Sequence, residues 1–205
     1  MPTVALATEF DDYDAEIYRA LLALTMQQDV VRWPTELRFN GCRSVRHLME
    51  PFLRQAEKSD VRHALFAIDN DGGARRHPEH DDLHDVAAQA RDEVDGCRHC
   101  WLTDALPAWW TEGGRRAAIV VPVQTLETWL LTLRGDDLLP SAEQVYNRDV
   151  LKKRFFGRPK PPITVCRDQA LTLLKQDDAL ERLRRRPSFR RFEVAIDSWR
   201  VHPSE

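Results

Sequence analysis

Three groups of residues in this 205-residue chain have types and spacings that could carry chemistry. The first is acidic. Asp69 and Asp71 close the apolar run His63–Ile68 and are followed by Gly72 and Gly73. One residue apart in extended chain, the two side chains project to the same side. Both can therefore reach one oxygen-seeking cation, and Mg²⁺ favours carboxylates plus water in near-octahedral geometry. The glycines allow a sharp turn there without Cβ strain. Glu9 holds the corresponding place after the apolar run Thr3–Thr8. Three carboxylates from two strand ends repel one another unless a cation or protons neutralise them. Such a cluster suits phosphoryl transfer, where metal ions stabilise attacking and leaving oxygens. A plainer reading is also open: Asn-Asp-Gly-Gly is ordinary turn chemistry, and Asp often caps a following helix.

The second group is His80-x3-His84-x12-Cys97-x2-Cys100, which has the ligand types and spacing of a tetrahedral Zn²⁺ site. The two histidines lie one helical turn apart and can face one ion. Such a zinc would be structural, stapling a helix to the following loop. His77 and His99 blur the pattern, and the same residues also suit a polar helix face and small buried thiols.

The third group is basic and aromatic. Residues 181–192 hold six arginines, among them Arg185 and Arg190, which could contact phosphates; a solvated helix face is the alternative. Arg75 and Arg76, just past the Asp69/Asp71 turn, are better placed to meet a phosphate near the acids. Trp109 and Trp110 could stack on unpaired bases, although packing on the core or on a partner protein is the commoner role. Lys152 and Lys153 could steady transition-state charge, but read as solvated surface lysines.

Elements must position these groups. Residues 3–8 and 61–69 are short apolar runs and predict buried strands, as does 116–123; residues 35–41 predict a weaker strand ended by Gly41. Between them, Ile17, Ala20, Leu21 and Leu24 recur at helical spacing, with Asp14 as N-cap. Ser44 is placed to cap a helix carrying Val45, Leu48, Met49, Phe52 and Ala56. A further helix is predicted through Leu83, Val86, Ala87, Ala90 and Val94, and another over 125–133. Alternation of strands and helices predicts an α/β fold, with a mostly parallel, Rossmann-like sheet flanked by helices. In such sheets, sites gather where strand carboxyl ends meet helix N-termini. That rule selects Glu9, Asp69, Asp71 and Glu127. Beyond residue 134 short helical runs at 148–155, 166–175, 178–185 and 188–200 predict a C-terminal helical extension. We expect residues 1–133 to form the α/β core and 134–205 to pack on it.

Composition sets the class. With 42% hydrophobic and 31% charged residues the chain suits a soluble globular protein with one substantial core. No stretch approaches the roughly 20 apolar residues that span a bilayer. The N-terminal residues turn acidic at once and do not read as a signal peptide, so a cytoplasmic location is expected. The four cysteines need not form disulfides. Net charge is −3, so any nucleic-acid contact must come from a local patch. No Gly-x-x-x-x-Gly-Lys-Ser/Thr loop for ATP is present.

The combination of Glu9 in "LATEFDDYDAEIYRALL" with Asp69 and Asp71 in "FAIDNDGG" resembles a Toprim domain, the catalytic fold of topoisomerases, primases and OLD-type nucleases. That family carries a glutamate after its first strand and Asp-x-Asp after its third. The segment "VPVQTLETWLL", bearing Glu127, is similar to one in small OLD-like Toprim proteins, and "RRRPSFRRFEVAIDSW" is similar to their C-terminal helix. The resemblance implies an Mg²⁺- or Mn²⁺-dependent endonuclease with Glu9, Asp69, Asp71 and Glu127 as catalytic metal ligands. It further implies DNA as the favoured nucleic acid and a role in antiviral defence beside a partner ATPase. The family usually has glycine straight after its glutamate and an aspartate a few residues on. Here Phe10 follows Glu9, and Asp11, Asp12 and Asp14 all compete for the later role. A non-catalytic Toprim-like subunit that binds nucleic acid or a partner protein is the alternative expectation.

Overall fold

A computed structural model describes residues 1–10, 13–69, 98–122, 125–136, 148–157 and 161–199. Its centre is a four-stranded, all-parallel sheet in the order β2-β1-β3-β4. The strands are β1 (Thr3–Thr8), β2 (Val31–Arg32), β3 (His63–Ala67) and β4 (Arg116–Val120). The α/β expectation is met. β1 and β3 pair from Val4↔His63 to Thr8↔Ala67, and β3 and β4 from His63↔Arg116 to Ala67↔Val120. The carboxyl ends of the three longer strands are therefore level with one another, and whatever follows each strand converges on one edge of the sheet.

Side chains alternate across a strand, and the two faces are covered differently. Val4, Leu6, Leu65, Ala67, Ala118 and Val120 face one core layer. It holds α1 (Asp14–Met26) and α6 (Glu127–Arg134). The C-terminal helices α7 (Arg148–Phe156), α8 (Ile163–Leu174), α9 (Ala179–Leu183) and α10 (Pro187–Asp197) pack in the same layer. Ala5, Ala7, Ala64 and Phe66 face the other layer. That layer is built on α2 (Cys42–His47), α3 (Met49–Lys58), α4 (Arg98–Thr103) and α5 (Ala108–Glu112). The small alanines leave room for aromatic rings: Phe52 meets Trp33, Phe39 and Phe66 edge-on at 5.3–6.0 Å between centroids. Such pairs add about 0.5–1.5 kcal/mol each beyond their burial.

The helical run after residue 134 shares the core of the first layer. Leu151, Phe155, Ala170, Leu183, Phe189 and Phe192 are buried in one cluster with Val4, Leu6 and Leu65. Trp129 of α6 is the pivot. It is fully buried, meets Phe189 and Phe192 at 5.2 and 5.9 Å, and donates its indole N–H to Ser188 Oγ at 2.8 Å.

Three local expectations are corrected. Residues 35–41 do not form a strand. Pairing beside β1 is taken by Val31–Arg32, with Trp33 N–H donating to Val4 O at 2.8 Å, and Pro34 has no N–H with which to continue. Phe39 is instead buried against Phe52, and Asn40 makes an isolated antiparallel bridge to Phe10. The helix expected from Ser44 through Ala56 is two helices that break at Leu48. Pro51 accounts for the break, because its ring would clash with the carbonyl four residues earlier in a continuous helix. Ser44 lies inside α2, where its Oγ accepts from Asn40 N–H at 2.6 Å and donates to Gly41 O. Asp14 is the first residue of α1, not its cap; Tyr13 holds that position without a side-chain bond. The helix expected over 83–94 lies outside the described residues.

Candidate functional site

The site is assembled by the level carboxyl ends of β1, β3 and β4. Glu9 directly follows β1 and is 7% exposed. Its carbonyl accepts from Gly41 N–H at 3.3 Å, which ties the strand end to the loop before α2. Asp69 follows β3 by one residue, since Ile68 extends the ladder through its N–H to Val120 O at 3.1 Å. Glu127 opens α6, just after β4, and is 3% exposed. It is buried because α6 is inserted whole into the core: every residue from Glu127 to Leu133 is buried.

Asp69 is the connector. Its Oδ1 accepts from Leu126 N–H at 3.0 Å, so the end of β3 holds the N-terminus of α6. Its Oδ2 accepts from Lys152 Nζ at 3.0 Å, an ion pair reaching across from α7. Its backbone carbonyl accepts from the Arg98 guanidinium. Lys152 is thus the cation of the acidic site and not a solvated surface lysine, whereas Lys153 is exposed. Only the fold could reveal this, because 83 residues separate Lys152 from Asp69.

The charges are crowded. Burial pushes the Glu127 carboxyl up to about 7, and the negative charge of Asp69 adds to the effect, against Lys152, the Thr125 hydroxyl and Glu127's own amide. Glu127 Oε2 is buried and accepts no hydrogen bond among the described residues. Asp14, half-buried at the head of α1, is raised well above the carboxylate range by burial, then by Asp69, Glu127 and Glu9. Tyr13 and Tyr18 are raised by burial and by the same acids. The Tyr13 hydroxyl is buried with no hydrogen-bond partner among the described residues. Of the three aspartates behind Phe10, Asp14 joins the cluster; Asp11 and Asp12 lie outside the described residues.

A cleft of about 560 Å³ opens beside these acids. Glu127, Asp14, Tyr13, Lys152, Phe10 and Arg38 are among the residues that line it. Phe10, Tyr13 and Arg38 carry no motif and were invisible as site residues in the sequence.

The donor chemistry fits a hard divalent cation: several carboxylates, one with a buried, unbonded oxygen. The arrangement of the described residues does not offer a ready-made cage. Among them no three His, Cys, Asp or Glu side chains converge as a ligand group, and both Asp69 oxygens are already engaged. Asp71 lies outside the described residues, as do Arg75, Arg76, His80, His84 and Cys97. Cys100, the remaining member of the expected zinc set, is half-buried in α4.

The other candidates are absorbed by packing. Arg185 is exposed and pairs with Glu181 at 3.5 Å; Arg190 donates to Arg184 O at 2.8 Å. Arg186 is 4% exposed and donates to Thr132 Oγ1 at 2.8 Å, and Arg182 donates to Thr132 O at 3.1 Å. Trp110 is fully buried, and Trp109 lies beneath the Arg54 guanidinium at 4.0 Å. No helix among the described residues is long and apolar enough to cross a membrane. Compared with protein-family models, with curated proteins and with solved structures, the chain has no match.

Proposed function

We propose that this chain is a metal-dependent nuclease that hydrolyses phosphodiester bonds, with DNA the favoured substrate. The observation that carries this reading is the buried carboxylate cluster at the strand ends. Glu127, 3% exposed with one oxygen unbonded among the described residues, opens onto a cleft of about 560 Å³ beside Asp14 and Lys152. Burying like charges is costly unless something neutralises them, so a fold that gathers four acids at one edge is prepared for a cation. Mg²⁺ or Mn²⁺ held by Glu9, Asp69 and Glu127, with Asp71, would stabilise charge on the attacking and leaving oxygens. Glu127 would hold or release a proton near neutral pH, and Lys152 would steady negative charge on the phosphate. The Toprim resemblance of Glu9, Asp69, Asp71 and Glu127 supports the same chemistry. It also suggests an antiviral role beside an ATPase.

A specific observation favours a second reading. Asp69 is already paired with Lys152, and no three-residue ligand group converges among the described residues. Together with Phe10 after Glu9, this fits a non-catalytic subunit that binds nucleic acid or a partner protein. One experiment separates the two. Purified protein is incubated with plasmid and with RNA in Mg²⁺, Mn²⁺ or chelator, alone and with its operon partner. Cleavage that needs metal and disappears in Asp69→Ala supports the nuclease. Intact substrates under every condition sink it.

A further inference from the structure

The cleft beside the acids has walls that match one particular ligand chemistry. A nucleotide has two flat apolar faces, a polar edge and an anionic phosphate. Phe10 presents the aromatic surface, 53% exposed although most large apolar side chains among the described residues are buried. Its backbone is pinned from three sides: the bridge to Asn40, and the Phe10 carbonyl accepting from Asp14 N–H at 3.0 Å and from Thr8 Oγ1 at 3.3 Å. The ring is therefore held out on a fixed support, which lowers the ordering cost of binding. Phe39 and Phe156 also line the cleft and add apolar wall.

The polar edge has partners as well. The Tyr13 hydroxyl and Glu127 Oε2 are both more than nine-tenths buried, line the cleft and have no hydrogen-bond partner among the described residues. Leaving two such buried groups unmatched is costly, and a ligand with donors and acceptors on its rim would recover that cost. For the phosphate, Arg38 and Lys152 line the same cleft. The volume suits one small ligand, and only an unpaired base has a face free to stack, since a base within a duplex is already stacked on both sides.

We propose that this cleft binds one unpaired nucleotide of a strand, with its base on Phe10 and its phosphate toward Arg38 and Lys152. The substrate class is then single-stranded nucleic acid or a strand with an unpaired base. This deepens the nuclease reading and rests on its assignment of nucleic acid as the ligand.

The test is fluorescence anisotropy with a short fluorescein-labelled oligothymidylate and a blunt duplex of equal length. Ca²⁺ is present to neutralise the acids. The single strand is expected to bind about tenfold more tightly than the duplex, consistent with the 1–3 kcal/mol of a base–aromatic stack. Phe10→Ala is expected to lose about tenfold and Phe10→Trp to retain binding, since any aromatic face stacks. Phe10 is exposed, so neither change threatens folding. Equal binding of duplex, an unaltered Phe10→Ala, or equally strong competition by free thymidine monophosphate overturns the proposal. Cleavage is read separately in Mg²⁺. Single-strand preference without cleavage upholds the subsite while sinking the nuclease; cleavage without that preference overturns the subsite alone.

Discussion

Two regions of this molecule are dense in charge, and the fold treats them in opposite ways. The arginines of 182–190 are engaged where they stand, by nearby acids, carbonyls and a hydroxyl. Arg184 pairs with Glu193 at 2.9 Å, Arg185 with Glu181, and Arg182 and Arg186 bond the carbonyl and hydroxyl of Thr132. The acids at the strand ends are gathered instead, and Lys152 is the cation on Asp69. The result is a carboxyl pushed up to about 7 on Glu127 and raised groups at Asp14, Tyr13 and Tyr18. A run of charge in a sequence says little; buried charge that the fold gathers singles out a candidate site.

The comparison can be broken most sharply at Glu127. Glu127→Gln keeps the shape and removes the buried charge. On the nuclease reading, metal-dependent cleavage is expected to fall at least about a hundredfold, because Glu127 would be a metal ligand worth several kcal/mol to the transition state. The melting temperature should hold or rise. A Glu127→Gln protein that cleaves normally would return this acid to the role of a packing residue.

The pH dependence of stability comes next. In the unfolded chain Glu127 ionises at its ordinary value of 4.5, and in the folded chain at about 7. Between those values the folded state holds the extra proton, so stability falls as pH rises from about 4.5 to 7 and levels off above. The full effect is at most about 3 kcal/mol, and Asp14, raised by the same burial, has the same sign. Urea denaturation across pH 4.5–8 measures it, and Glu127→Gln should flatten the curve. On the nuclease reading Mg²⁺ or Mn²⁺ should act in reverse, stabilising more as the pH rises, because a cation would bind the deprotonated acids.

The basic side of the comparison is structural and should show as stability. Arg186→Ala removes a buried guanidinium from Thr132. It is expected to cost about 2 kcal/mol, or roughly 4–8 °C in melting temperature, with any nucleic-acid affinity unaltered. Arg185→Ala should do least. Its pair with Glu181 is exposed on both sides, and exposed pairs are worth about 0–1 kcal/mol. A clear loss of single-strand affinity in Arg185→Ala would reopen the arginine cluster as a phosphate contact.

Much of the fold was legible because its signals are local. The apolar runs at 3–8, 61–69 and 116–123 became β1, β3 and β4, and α1 and α6 lie where helical spacing put them. The misreadings have equally local causes. Residues 35–41 have a strand-like pattern, but Pro34 ends the pairing and Phe39 turns into the core. Pro51 divides the helix expected from Ser44. In the site, Glu9, Asp69 and Glu127 were legible through their place after apolar runs. Tyr13, Phe10 and Arg38 were not, and Lys152 could not be told from Lys153, because their part depends on which helices and loops close over the strand ends.

The sequence by itself determined the parallel α/β order and the three acids, since period, turn residues and strand ends are written within a few residues of one another. Only the tertiary structure decided which charges remain uncompensated. The level register of β1 and β3 sets Glu9 and Asp69 on one edge, and the Leu126 N–H bond to Asp69 brings Glu127 beside them. The docking of α7 delivers Lys152 to Asp69 across 83 residues, while Arg182 and Arg186 are spent on Thr132. Electrostatic interaction depends on distance and burial, and neither is a property of a residue's position in the chain.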